Sequence, residues 1–147
     1  LFALDSDKRE PSGNKKDSAQ ARWLAEKSQA SNAKFKIAYF HHAPYSSGHH
    51  GSNLDMQWDF EGMDIDIVLS GHEHHYERLA SPRGATYIIS GTGGTGLRKA
   101  PLGKAHAWSK KIINEHGALK ISYTDRKIKL EQINTSGQVV DSFELTK

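Results

Sequence analysis

Two short apolar runs, each breaking off into a block of histidines, restrict the fold of this chain more than any other feature. Ile67-Val68-Leu69 stops at Ser70-Gly71 and gives way to His72-Glu73-His74-His75. Upstream, Phe35-Lys36-Ile37-Ala38-Tyr39-Phe40 ends in His41-His42-Ala43-Pro44-Tyr45-Ser46-Ser47-Gly48-His49-His50-Gly51. Runs this short and this rich in β-branched residues read as buried strands. Gly71 allows a sharp turn directly after the second run. In open α/β sheets, ligand and metal sites sit at such strand ends. Neutral imidazole is the commonest nitrogen ligand for zinc and also suits iron. Seven of the 9 histidines fall between His41 and His75. Scattered surface histidines would not gather at the ends of two strands, so a shared metal site is the expected reading.

The chain has 147 residues, enough for one domain with a sizeable core. Hydrophobic residues make up 36% and charged residues 25%, an ordinary globular balance. No apolar run approaches the ~18 residues of a membrane span, so no membrane partner is expected. The net charge of +3 is spread along the chain with no basic helix or aromatic-interleaved patch, so charge does not argue for nucleic acid. Cysteine is absent, and any metal must therefore be held by His, Asp, Asn or Glu. The chain starts on Leu1, directly in an apolar stretch, and is expected to be part of something longer.

Residues 1–5 read as a strand and Asp5-Ser6-Asp7 as a turn. Asp17 followed by Gln20 predicts a capping box, with Ala21, Leu24, Ala25 and Ser28 as the buried stripe of a helix. Pro44 gives the loop after His42 a defined shape. Residues 53–60 are expected to form a short helix, and residues 84–90 a third strand. The glycine run over 91–96 lacks the following helix that a phosphate loop needs, and it reads as a turn at the edge of the site. Residues 97–113 carry no clear pattern. From Gly117 the apolar period becomes two, which predicts a three-stranded antiparallel meander. The fold class is thus α/β, a mixed sheet with flanking helices and a C-terminal meander.

A strand ending in His42-Ala43-Pro44, paired with one ending in Gly71-His72-Glu73-His74, resembles the calcineurin-like metallophosphoesterases. Tyr45-Ser46-Ser47 and Tyr76-Glu77-Arg78 are similar to the purple acid phosphatase branch, as is Leu1-Phe2-Ala3-Leu4-Asp5-Ser6. The resemblance implies a dinuclear centre of iron, zinc or manganese, with His42 and His72 on one metal and His74 on the other. It implies that His50, or failing that His49, lies over the phosphate and assists the leaving group. His41 would support or pack, and His75 would have no ligand role. The family's Asp-x-His, Gly-Asp-x-x-Asp and Gly-Asn-His motifs do not occur here; the only Gly-Asn is Gly13-Asn14, followed by Lys15. Residues 1–147 are therefore expected to be the C-terminal half of a catalytic domain, half of a four-layer α/β/β/α sandwich.

The resemblance implies hydrolysis of phosphate esters, first of all monoesters, by the intact domain. For this chain alone it implies partial metal occupancy, negligible turnover, and a partner: the missing N-terminal half, or a second copy bound through an exposed sheet face. A secreted or periplasmic location would follow from the family. The competing readings are a non-catalytic metal-binding or interaction fragment, and a phosphodiesterase or nuclease of the same fold.

Overall fold

The computed structural model describes residues 1–147. In chain order its elements are β1 (Phe2–Ala3), α1 (Ala19–Gln29), β2 (Ile37–His42), a 3-10 turn (Leu54–Met56), β3 (Ile67–Gly71), β4 (Tyr76–Ala80), β5 (Thr86–Ser90), β6 (Ser109–Ile113), β7 (Gly117–Tyr123), β8 (Lys127–Asn134) and β9 (Val139–Thr146). The first six strands form one sheet in the order β1-β2-β3-β5-β4-β6, and the last three form a separate sheet. β1, β2, β3 and β5 run parallel, while β4 pairs antiparallel with both β5 and β6. The mixed α/β architecture with its C-terminal meander is the one expected from the sequence.

Alternation along β2 and β3 sends side chains to two cores. Ala38, Phe40 and Val68 join Ala21 and Leu24 of α1, together with Met56, Trp58 and Phe60. Ile37, Ile67, Tyr76 and Ile88 face the other way and meet Ile128 and Leu130 of the meander. Strands covered on both faces need apolar residues at every position, which is why these runs look unbroken in the sequence. The layers are helix and loop, six-stranded sheet, and meander.

Four local expectations are corrected. The helix cap is Ser18, whose hydroxyl accepts from the Ala21 N–H at 3.1 Å, not Asp17. Gln20 turns away to bond Asp5 and Gly13, so no capping box forms. Residues 53–60 make only a single 3-10 turn, because Met56, Trp58 and Phe60 are buried at every second position, the period of extended chain. The N-terminal strand is two residues long, prolonged by one further bond from the Leu4 N–H to the Tyr39 carbonyl. Finally, β4 and β6 carry no strand signal: β4 contains Glu77 and Arg78, and β6 is an edge strand bearing Lys110 and Lys111. Lysines on an edge discourage pairing with other chains, at the cost of hiding the strand.

Candidate metal centre

Because β2 and β3 are adjacent and parallel, their C-terminal ends lie side by side, with His42 opposite Gly71. The register slips between Tyr39 and His42. Such an irregularity breaks strict alternation, and the His41 and His42 rings lie 4.9 Å apart between centroids. His72 follows at φ +65°, a left-handed conformation rare for a residue with a β-carbon. Strain of that kind collects at functional sites. The outcome is a cluster: ligating nitrogens of His41, His42 and His72 all lie within 4.8 Å of one another.

Each ring is held from behind. Ser6 is buried, its Oγ lies 2.8 Å from His42 Nδ1, and it accepts from the His42 backbone N–H at 2.9 Å. This leaves His42 Nε2 free. His72 Nδ1 pairs with His41 Nε2 at 3.1 Å, leaving His72 Nε2 free. Burial, and then the charge of His41, hold the His42 imidazole below its ordinary pKa. Burial, then the charges of His42, His50 and His41, lower His72 likewise. These shifts favour the neutral ring, the form that binds metal.

The second histidine loop folds over this cluster. The His50 ring lies 4.2 Å from that of His72. Its position is set from below by Glu73, a fully buried carboxylate. Glu73 Oε1 accepts from the backbone N–H groups of His50 and Gly51, at 2.7 and 2.9 Å, and from the Ser46 hydroxyl at 3.2 Å. Next to it, Glu77 accepts from the Ser47 N–H at 2.8 Å and lies 3.2 Å from His75 Nε2. Burial alone would raise the Glu77 pKa; the bonds from His75 and Ser47 outweigh it and hold the group low. Thus along 72–77 the histidines at 72 and 74 reach outward, while Glu73, His75 and Glu77 form a buried polar footing for the loop 46–51.

His42, His50 and His72 share a cleft of about 290 Å³ with Lys8, Asn53 and Asp55. His74 stands outside the cluster, its Nδ1 bonded to the Gly96 carbonyl at 2.8 Å. His49 is exposed and touches the His50 ring edge-on at 5.4 Å. The sequence reading missed three contributors: His41 as a member of the cluster, Ser6 as the group behind His42, and Glu73 as the support of His50. Only the Gly-His-x-His spacing hinted at the last, since alternation after a strand end turns x inward.

Residues 2–76 match the family described as calcineurin-like phosphoesterase. The chain belongs to that family. The calcineurin-like phosphoesterase match contains His41, His42, His50 and His72, the whole cluster described above. Its relatives lie on the purple acid phosphatase branch. The chain is 26% identical over 125 residues to purple acid phosphatase 7 of Arabidopsis thaliana, covering 80% of this chain and 37% of that protein. It is 26% identical over 132 residues to acid phosphatase type 7 of Mus musculus, covering 76% of this chain and 30% of that protein. In fold it superposes on the purple acid phosphatase PPD1 of yellow lupin with a TM-score of 0.79 at 20% identity, over 98% of this chain and 30% of that one. GAP50 of Plasmodium superposes with a TM-score of 0.74 at 20% identity, over 98% of this chain and 48% of that one. The chain therefore spans between about a third and a half of the length of these four proteins. No helix is long and apolar enough to cross a membrane.

Proposed function

We propose that this chain supplies the histidine wall of a metal-dependent phosphomonoester hydrolase. The observation that carries the reading is the grouping of His41, His42 and His72 nitrogens within 4.8 Å. The donor set fits a metal of intermediate softness: imidazoles kept neutral, with no thiolate and with a hydroxyl behind one ring. Zinc or iron suits such ligands better than manganese, which favours oxygen. His42 and His72 would hold the ion through their free Nε2 atoms, with His41 beside them. His74, whose Nε2 is free, would serve a second ion with ligands from outside this chain. When bound, such ions polarise a phosphoryl oxygen and make hydroxide available near neutral pH. His50 lies against His72 at the mouth of the cleft, where it is placed to exchange a proton with a departing alkoxide.

The share of the relatives that is covered supports a second part of the proposal: residues 1–147 are the C-terminal half of a catalytic domain. Three or four ligands make a stable zinc site, so this chain by itself would take up metal weakly and turn over little. Its partner is the upstream half or, without it, a second copy. One observation favours a different reading. GAP50, described as the anchor in the inner membrane complex of Plasmodium, shares the fold, and a fold alone does not carry catalysis.

The test is equilibrium dialysis of residues 1–147 against Zn²⁺ and Fe²⁺, for the wild type and for His42→Ala, His72→Ala and His106→Ala. Loss of metal in the first two and not in the third supports the centre. Equal uptake by all four chains removes it. A chromogenic phosphomonoester, assayed with and without the upstream half, then separates hydrolase from anchor: metal-dependent turnover on adding that half is expected of the first only.

A further inference from the structure

The segment after the glycine run is sewn to the second histidine loop. The Arg98 N–H donates to the His74 carbonyl at 3.0 Å, two residues beyond the Gly96 carbonyl that meets His74 Nδ1. The Arg98 side chain then turns to His50, with Nη1 donating to His50 Nε2. A guanidinium has no acceptor, so Nε2 must be the acceptor and a neutral His50 carries its proton on Nδ1.

Two features of this pair bear on ligand binding. Arg9, Arg78 and Arg83 each pair with a carboxylate, whereas Arg98, like Arg22 and Arg126, pairs with none. Its one side-chain partner is the His50 ring, which lines the cleft, and no carboxylate compensates the guanidinium charge. The pairing also occupies Nε2 of His50, a ring that lines the cleft. Both features have one resolution. An anion arriving beside His50 gives Arg98 a charged partner, and Arg98 then lets go of Nε2.

We propose that Arg98 is the phosphate-recognition residue of this site, held in waiting by His50 and transferred to the phosphate group of the ligand on binding. The inference rests on the phosphoester reading above and adds to it a specificity residue from 91–98, a segment outside the matched family region. The planar fork of N–H donors suits two oxygens of one phosphate, which a point-charge lysine cannot match. Lys8, lining the same cleft, adds positive charge from β1's side. The carboxylate lining the cleft is Asp55, and Arg98, bonded to His50 of the same cleft, adds positive charge beside it.

The test uses inorganic phosphate and the metal-free chain, so that it does not depend on the metal. Phosphate binding is followed by ³¹P NMR for the wild type, Arg98→Ala, Arg98→Lys and Lys99→Ala. Removing a charged hydrogen-bond donor should weaken phosphate by about tenfold or more. Arg98→Lys should recover part of that loss, and Lys99→Ala should leave the affinity unchanged. In ¹⁵N-histidine spectra, phosphate should move the His50 Nε2 resonance of the wild type and leave that of Arg98→Ala in place. Phosphate affinity that is equal in the wild type and Arg98→Ala, or undetectable in the wild type, overturns the proposal. The metal reading fails separately, by Zn²⁺ uptake that survives His42→Ala and His72→Ala.

Discussion

Gly48 sits where a side chain has no room. A β-carbon there would lie 2.4 Å from Glu73 Oε2 and 2.6 Å from His75 Cε1, both rigidly buried. Gly48→Ala must therefore push the loop off its carboxylate footing and carry His50 away from His72. The expected cost is about 1–3 kcal/mol, the usual scale of overpacking, read as a lower urea midpoint, together with weaker phosphate binding. A midpoint equal to wild type would show that Glu73 does not position the loop. At this scale the sequence was legible for His42 and His72, because each follows an apolar run directly. It was not legible for Ser6 or Glu73, since a serine in a turn and a glutamate between two histidines read as solvent-facing residues. Ser6 is buried by a strand 36 residues away, and Glu73 by a loop 22 to 27 residues away.

At the scale of elements, the link between the two sheets includes a buried polar contact. Asp141 of β9 accepts from Arg78 of β4 at 2.7 and 3.0 Å and from the Tyr76 hydroxyl at 2.8 Å. Burial alone would raise the Asp141 pKa, and the Arg78 and Tyr76 bonds outweigh it and hold the group low. The folded carboxyl thus binds its proton at lower pH than the unfolded one. Its contribution is complete above the ordinary value near 4 and is lost as the pH falls through the depressed folded value. Asp141→Asn should cost about 1–3 kcal/mol near neutrality, the scale for bonds to a charged group. It should also flatten the acid side of the stability profile measured by urea unfolding. An acid limb as steep as the wild type's would assign that limb to other carboxylates. The same polar residues explain which elements were legible. β2, β3, β5 and the meander announce themselves by apolar period. β4 and β6 do not, because one buries a charge network and the other is an edge.

For the molecule as a whole, the meander does not cover the sheet completely. A cavity of about 680 Å³ remains between the N-terminal edge and the hairpin of β7 and β8, lined by Leu1, Phe35, Ile37, Ile121, Tyr123 and Ile128. Leu1 and Tyr123 are 86% and 81% exposed, which leaves an apolar surface beside the cavity. Apolar patches of this kind mark interfaces. Residues 1–147 alone should therefore associate as concentration rises, and Ile121→Lys with Tyr123→Lys should reduce this without changing Zn²⁺ uptake. Sedimentation velocity across a concentration series decides it; a wild type that stays monomeric throughout would leave the cleft without a partner. The layered architecture was readable in advance, since it follows from the change of period at Gly117. Which cleft stayed open was not, because that depends on how far the meander reaches across the sheet.

The contacts that make the site span long stretches of chain. Ser6 meets His42 across 36 positions, His41 meets His72 across 31, and His50 meets Arg98 across 48. No cut between residues 6 and 98 spares them all. The smallest segment that contains the site is thus nearly two-thirds of the molecule, and no peptide copied from either histidine motif would reproduce it. Each of those loops must be closed before any ring meets its neighbour, an entropy that only the completed parallel sheet repays. Beyond residue 116 the chain adds no side chain to the cleft. It serves as a floor, and a floor can be rebuilt in many ways while the chemistry above it stays the same.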